Sequence, residues 1–316
     1  MVMNNTPQVN ISRVSIITPS LNQAEFLEET IISVINQNYP LLEYMVIDGG
    51  SQDGSVDIIK KYSNYLSYWV SENDRGQAHA INKGLRRATG EYISWINSDD
   101  TLTPGAINRV IAFLSTNPEI SLAYGSIYYI DRNGRRIGSA TPTPGTPIFS
   151  PQTMIGDRVI VQPGSFWRRI AMEKVGLLNE SYHHIFDYEF WTRILLSKGL
   201  FAQVPGEPLA NFRLSSGSKT VSNIHKSGQE ELRLLPILLS DPRLFSLNIP
   251  HHKFQRQLRK AYGIAYMKMF KGCSQQPGQQ ISAWKYLITA IQYYPIFLIT
   301  RFPLMLSVAR DQFHQL

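Results

Sequence analysis

The sequence predicts an α/β fold, a mostly parallel sheet flanked by helices, followed by a helical C-terminal extension. Three observations carry that reading. Short apolar runs alternate with amphipathic segments of helical length from Val14 to Tyr129. Three of those runs end in polar clusters: Thr18-Pro19-Ser20, Asp48-Gly49-Gly50 and Asn97-Ser98-Asp99-Asp100. From about His225 onward the pattern is helical and the charge turns strongly basic.

Taken in order, residues 14–18 read as a buried strand closed by Pro19-Ser20. Residues 22–37 read as a helix with Phe26, Leu27, Ile31 and Val34 on one face. A strand over 44–48 leads into the loop 49–54. Helix 56–62, strand 68–71, helix 77–88 and strand 92–96 continue the alternation. A helix entered at Pro104 runs to about Asn117, and 122–129 reads as the next strand. Pro142, Pro144, Pro147 and Pro151 mark an irregular loop. Beyond it the pattern gives a strand over 159–167, helices over 171–175 and 187–197, and a strand over 201–204. In a parallel sheet ligands bind beyond the carboxyl ends of the strands, so the three polar clusters are expected to meet on one edge.

Composition narrows the function. Hydrophobic residues make up 43% of 316, enough for an ordinary core. The single cysteine, Cys273, leaves no intramolecular disulfide and no multi-cysteine metal site. Residues 1–30 lack a basic start followed by an apolar run, so no secretory signal is expected and the active face is placed in the cytoplasm. Residues 242–316 carry ten basic residues and one acidic residue, a net of +9, against 21 basic and 23 acidic before them. The overall +7 therefore belongs to the C-terminal quarter, and the acidic balance elsewhere argues against a nucleic-acid partner.

Two common phosphate-binding fingerprints are missing. No Gly-x-Gly-x-x-Gly follows the first strand, which argues against a dinucleotide dehydrogenase. Ser218-Lys219-Thr220 ends like a P-loop but lacks its upstream glycine. What remains is Asp99-Asp100 after a strand, which suits a hard cation shared with phosphates. The competing reading is a cap for the helix entered at Pro104.

The stretch 14–100 resembles glycosyltransferase family 2. The matching motifs are residues 17–22 (Ile-Thr-Pro-Ser-Leu-Asn), 47–54 (Ile-Asp-Gly-Gly-Ser-Gln-Asp-Gly), Asp74-Arg75-Gly76 with Ala80, Asn82 and Gly84, then residues 88–91 and Asn97-Ser98-Asp99-Asp100. A weaker resemblance runs through Gly164-Ser165, Val175-Gly176 and 186–193 to about Lys219. It implies a GT-A fold and transfer with inversion from a nucleotide sugar, usually a UDP-sugar, with Mg²⁺ or Mn²⁺. It further implies that Thr18, Pro19, Ser20, Asn22, Gly76, Asn97 and Ser98 surround the nucleotide sugar and that Asp48 accepts hydrogen bonds from the base. Asp99 matches the last carboxylate of the family's Asp-x-Asp motif, the metal ligand. Its first position is Asn97 here, and Asp100 is left as support. Asp187 matches the general base, with Glu189 the competing carboxylate and a helix cap the competing role. Arg213, Ser218 and Lys219 fall where the family approaches the diphosphate, or else form a solvated basic loop. Arg75 and His79 are further candidates near the donor. Trp167 and Trp191 are expected in the core rather than as a sugar-stacking wall. His183-His184 are expected at the surface.

The expected enzyme builds a surface polysaccharide or glycolipid on a saccharide or lipid-linked acceptor. Two alternatives stay open: a sugar-phosphate nucleotidyltransferase, and a non-catalytic nucleotide-sugar-binding protein. The first would need a glycine-rich, lysine-bearing loop where Pro19-Ser20-Leu21-Asn22 stands. Residues 1–224 are expected to form the catalytic domain and 225–316 the extension. Residues 286–300 carry no charge, Arg301 interrupts, and 302–309 are again apolar. With base upstream, this favours peripheral attachment at the inner face of a membrane through 242–316 over packed helices or a spanning segment.

Overall fold

The computed structural model describes residues 11–140, 160–214, 223–247, 249–276 and 278–296, together with Ile155. The apolar runs form the centre of a seven-stranded sheet. Strands β1 (Val14–Ser20), β2 (Leu42–Asp48), β3 (Tyr68–Ser71) and β4 (Tyr92–Trp95) lie in the order β4-β1-β2-β3, all parallel. Between them run α1 (Ala24–Ile35), α2 (Ser55–Lys61) and α3 (Gln77–Leu85). Register delivers the expected convergence. Ser20 lies opposite Asp48, and Asp48 opposite Ser71, while Trp95 pairs with Ile17 just before the Asn97–Asp100 turn. Every β1 side chain is buried, as a strand covered on both faces requires.

The sheet continues with β6 (Ile120–Tyr124), β9 (Ser165–Arg168) and β10 (Leu200–Gln203), in the order β10-β6-β9-β4. Strand β9 is antiparallel to both neighbours. The apolar run 122–129 is not one strand. It breaks at Gly125, where a Cβ would meet the Leu209 side chain at 2.5 Å. Its second half, β7 (Ile127–Ile130), joins a small sheet in the order β5-β11-β7-β8 with β5 (Thr101–Leu102), β8 (Arg136–Ala140) and β11 (Ala210–Arg213). The last three are too short or too polar to show an apolar period in the sequence. The strand expected over 159–167 begins at Ser165, after a tight turn over Gln162–Gly164; residues 156–159 lie outside the described residues.

Helices α4 (Ala106–Thr116), α5 (Arg169–Val175) and α6 (Phe186–Leu196) complete the α/β unit. Trp95, Trp167 and Phe190 pack edge to face, with ring centroids 5.2 and 5.6 Å apart, and tie β4, β9 and α6 together. The C-terminal helices are α7 (Ile224–Ser240), α8 (Pro242–Phe245), α9 (His251–Ser274) and α10 (Gln280–Tyr293). Leu234, Leu235 and Leu238 of α7 and Ala261 of α9 join the same buried cluster as Trp95 and Trp167. A separate small cluster, Phe270, Cys273, Ala283, Leu287 and Ala290, seals α9 against α10. No helix among the described residues is long and apolar enough to cross a membrane. The proline loop 142–151, Ser218-Lys219-Thr220 and the run 297–309 lie outside the described residues.

Candidate active site

A cavity of about 640 Å³ opens over the carboxyl ends of β1 and β4. One wall comes from strand ends and loops: Pro19, Ser20, Asp74, Gly76, Asn97, Ser98, Asp99 and Gln162. The facing wall comes from 183–188, Trp191, and the helices α7 and α9 through Ile224, Ser227, Glu231 and Lys268.

Asp99 and Asp100 play different parts. Asp99 is partly exposed on the cavity wall, whereas Asp100 is wholly buried beneath it. The Asp100 carboxylate accepts the Arg213 backbone N–H at 2.9 Å and the Asn97 amide at 3.1 Å. Burial, then the neighbouring Asp99 charge, hold its pKa well above the usual carboxylate range. Neither residue caps α4, whose cap position is Gly105. Asn97 is committed on both sides of its amide. Its Oδ1 accepts from Gln77 at 2.8 Å, and its Nδ2 donates to Asp100 and to Gln162 Oε1 at 3.2 Å. A carboxylate at 97 would lose the donor that Nδ2 gives to Asp100 and Gln162 and would add a third acidic group beside Asp99 and Asp100, which accounts physically for the amide there.

The Asp48 side chain is fully buried and turned into its own loop. It accepts the N–H groups of Gly50 and Ser51 and the hydroxyls of Ser51 and Ser71, at 2.5–3.1 Å. Thr18 is equally buried, its hydroxyl against Tyr44 at 3.0 Å. Asn22, in the left-handed region at φ 51, ties β1 to the Asp48 loop by accepting Gln52 N–H at 2.9 Å. The described cavity wall includes Pro19, Ser20, Gly76, Asn97, Ser98, Asp99 and Asp187, but not Thr18, Asn22 or Asp48. Thr18 and Asp48 are buried, and the exposed Asn22 ties the two loops together. The residue that reaches the wall beside the Asp48 loop is Asp74. Its Oδ1 accepts Gly76 N–H at 2.7 Å, and its Oδ2 occupies the space a Cβ on Gly49 would fill, 2.5 Å away. Gly76, at φ 118, holds a conformation closed to other residues and starts α3.

The two candidate bases separate cleanly. Asp187 stands in the first turn of α6 on the cavity wall, its Oδ1 accepting the Tyr188 N–H at 2.7 Å; the cap position itself is Ile185. Glu189 is buried in a bidentate pair with Arg193, at 2.8 and 3.0 Å, and Arg193 also donates to the carbonyls of Val175 and Leu177. Glu189 therefore braces a loop.

Several secondary expectations are corrected. Arg213 is neither a diphosphate contact nor a solvated cation. Only 1% exposed, it donates to the carbonyls of Asp99, Asp131 and Arg132 and to Glu29, with its guanidinium 4.7 Å from the Phe26 ring centre. His183 is exposed, as expected, and His184 half-buried, and both also border the cavity. Their backbone N–H groups and that of Ile185 donate to the Glu230 carboxylate at 2.8–3.2 Å, pinning this loop to α7. Arg75 is turned outward to Glu180 at 2.7 Å. Trp167 and Trp191 are both buried, as expected, but Trp191 also touches the cavity.

The sequence model of glycosyl transferase family 2 matches residues 15–176, just over half of the chain. The chain belongs to that family. Among curated family relatives, an uncharacterized glycosyltransferase of Rickettsia typhi is 28% identical over 193 residues, 58% of either chain. A second, from Rickettsia conorii, is 27% identical over 221 residues, 66% of this chain but 36% of its own. The chain thus spans between about a third and three fifths of these relatives' lengths. The cholesterol galactosyltransferase of Borreliella burgdorferi is 29% identical over 254 residues, 74% of this chain and 69% of its own. Among solved structures, S. aureus TarS residues 1–349 give a TM-score of 0.64 at 16% identity, covering 90% of this chain and 81% of that one. The mannosyltransferase PcManGT from Pyrobaculum calidifontis, in complex with GDP-Man and Mn²⁺, gives 0.60 at 17%, covering 96% and 87%. The family 2 fold is therefore GT-A, as the motifs implied.

The expectation from motifs missed Asp74 as a wall residue, although Asp74-Arg75-Gly76 was in view; nothing local shows which of the three side chains faces inward. It also missed Gln162, Ser227, Glu231 and Lys268, which carry no motif and reach the cavity only through tertiary packing.

Proposed function

We propose that this protein is an inverting, metal-dependent glycosyltransferase, moving a sugar from a nucleoside diphosphate sugar to a hydroxyl of a saccharide or lipid-linked acceptor in surface polysaccharide or glycolipid synthesis. The observation that carries the reading is that Asp99, after β4, and Asp187, in the first turn of α6, line one cavity. In the reaction the acceptor oxygen forms a bond to the anomeric carbon as the bond from that carbon to the diphosphate oxygen breaks. Asp187 takes the acceptor's proton. Pro19, Ser20, Asp74 and Gly76 border the nucleotide, with UDP favoured. The Ser20 hydroxyl, buried on the wall without a protein partner, suits a ligand contact. Thr18, Asn22 and Asp48 act by holding the loops.

The wall also fits a divalent cation, Mg²⁺ or Mn²⁺. No group of three or more His, Cys, Asp or Glu able to hold a metal is present among the described residues. One carboxylate, Asp99, is what a cation held mainly by substrate phosphates requires. When bound there, the cation would stabilise the charge building on the leaving diphosphate. Relatives support the reading: TarS has been crystallised with UDP-GlcNAc, and PcManGT with GDP-Man and Mn²⁺.

A panel of nucleotide sugars, each with Mg²⁺, Mn²⁺ or EDTA, tests the proposal by release of the nucleoside diphosphate. One sugar nucleotide turning over only with the cation is expected. Turnover unaffected by EDTA would remove the metal from the mechanism, and no turnover of any donor would sink the assignment.

Residues 225–316 are further proposed as an extension, of which 242–316 meets an anionic membrane at the cytoplasmic face. Ile281, Trp284 and Ile288 are exposed at helical spacing on α10, and exposed Lys253, Arg256, Arg259 and Lys271 lie on α9. Co-sedimentation with vesicles containing phosphatidylserine is expected, and its loss with Ile281→Ser/Ile288→Ser; equal recovery with neutral vesicles would refute the electrostatic part.

A further inference from the structure

The helical wall of the cavity holds a polar cluster to which no donor role falls. Ile224, Ser227 and Glu231 share one face of α7 at spacings of three and four, and all three line the cavity. Glu231 is 0% exposed, yet it is charged chemistry in a helix that otherwise packs on leucines. Its partner comes from α9: Lys268 Nζ lies 2.5 Å from Glu231 Oε1 and 3.2 Å from Ser227 Oγ, and the Ser227 hydroxyl donates to Glu231 at 3.1 Å. A buried ion pair is weak evidence for stability, since an apolar pair of the same volume does as well or better. Its position on a cavity wall points to recognition instead. Trp191, which lines the same cavity, is 2% exposed and its indole N–H has no hydrogen-bond partner. A buried donor left unpaired costs about 1–3 kcal/mol unless a ligand or water satisfies it.

We infer that Ser227, Glu231 and Lys268, with the Trp191 indole N–H, form the subsite that holds the acceptor saccharide by its neutral hydroxyls. The inference rests on the donor occupying the strand-end wall, as proposed above. Three features select the ligand class. An ammonium and a carboxylate in contact present a donor and an acceptor side by side, which matches a sugar hydroxyl pair that both gives and takes hydrogen bonds. The lysine charge is already balanced by Glu231, so a phosphate or carboxylate ligand would have to compete with it. The cluster is also registered to the reaction centre. Glu230, one residue before Glu231, holds the N–H groups of His183, His184 and Ile185, and the chain enters α6 and Asp187 directly after them. An acceptor seated on α7 is thereby fixed relative to the proposed base.

The test uses the full chain and the nucleotide sugar that the panel identifies, with methyl glycosides of glucose, galactose and N-acetylglucosamine as neutral probes. Glucuronate and glucose 1-phosphate serve as anionic ones. Initial rates give KM for donor and for each probe. Expected is stimulation of turnover by at least one neutral glycoside. Its KM should rise at least tenfold in Lys268→Met/Glu231→Gln, which removes both charges together, and about threefold in Ser227→Ala, while donor KM moves less than threefold. Ser227→Ala keeps the test valid if the double variant melts early. An unchanged glycoside KM in both variants, a larger shift in donor KM than in glycoside KM, stimulation by the anionic probes alone, or no stimulation by any glycoside would each overturn the inference. Absence of donor turnover in the unaltered protein is a separate result that removes the donor reading beneath it.

Discussion

The two walls of the cavity are held by different means. On the strand-end wall, the buried or wall carboxylates Asp48, Asp74 and Asp100 all accept backbone N–H groups, and one buried cation gathers the carbonyls behind them. Asp48 accepts from its own loop, Asp74 from Gly76, and Asp100 from the Arg213 backbone, while the Arg213 guanidinium collects the carbonyls of Asp99, Asp131 and Arg132. On the helical wall, side chains from α7 and α9 meet each other and the 183–185 loop over long sequence separations. The first wall is held mainly by hydrogen bonds to backbone groups. The second depends on how α7 docks. That difference gives three ways to separate the walls experimentally.

The largest effect is expected at Asp187. Asp187→Asn removes the proposed base but keeps a side-chain oxygen able to accept from Tyr188. Turnover should fall by roughly 10²–10⁴-fold, the range for a lost general base, with UDP affinity little changed. Glu189→Gln is the control on the same helix. It breaks the Arg193 brace and should lower the melting temperature, with turnover retained within about tenfold of the parent, a small part of that same range. If the two variants exchange these outcomes, the base is Glu189 and the helical wall has been read the wrong way round.

The next effect falls on the strand-end wall. Arg213→Met keeps most of the length of the side chain while removing every donor. It leaves three part-buried carbonyls and the Glu29 carboxylate without this partner. The expected loss is about 3–5 kcal/mol, the sum of several acceptors left unpaired, or roughly 5–8 °C in melting temperature for a chain of this size. A shift of no more than a degree or two would mean the carbonyls are hydrated and the wall is not held by this cation. Thermal melting of the two proteins decides it.

The same contrast explains what the sequence disclosed. The parallel sheet and its polar edge were legible because β1, β2 and β4 are apolar runs buried on both faces, each followed by its own short motif. Asp99 and Asp187 were singled out by resemblance to family motifs, and both lie on the cavity wall. Strands β5, β8 and β11 were not, because two to five mixed residues carry no period, and β7 was hidden by fusion with β6 across Gly125. Arg213 was misjudged because its environment is assembled from Glu29, Asp99 and 131–132, none of them near it in sequence. The Glu230 clamp and the Lys268–Glu231 pair, separated by 37 residues, follow from helix docking that periodicity alone does not specify.

The smallest effect is the most discriminating for the strand-end wall. An unfolded aspartate releases its proton near pH 3.8, whereas in the folded protein burial and the adjacent Asp99 hold Asp100 protonated to well above that. Between those two pH values the folded state binds more protons than the unfolded one. Stability contributed by Asp100 is therefore complete at low pH and is lost as pH rises, by up to about 1.4 kcal/mol per pH unit. Asp100→Asn removes the titration. Its carbonyl can still accept the Arg213 N–H, but its amide meets the Asn97 donor, so at pH 5 the variant should be the less stable protein. The gap should then narrow steadily toward pH 8, where only the parent pays for a buried charge. Urea unfolding of both proteins without added metal, at pH 5, 6.5 and 8, measures it. A gap that stays constant from pH 5 to pH 8 would mean that Asp100 is already ionised in the fold at pH 5, as it is in the unfolded chain, so that two charges rather than one stand at the end of β4. The cation would then be drawn by both carboxylates, and the division between a wall residue and a buried support would fail.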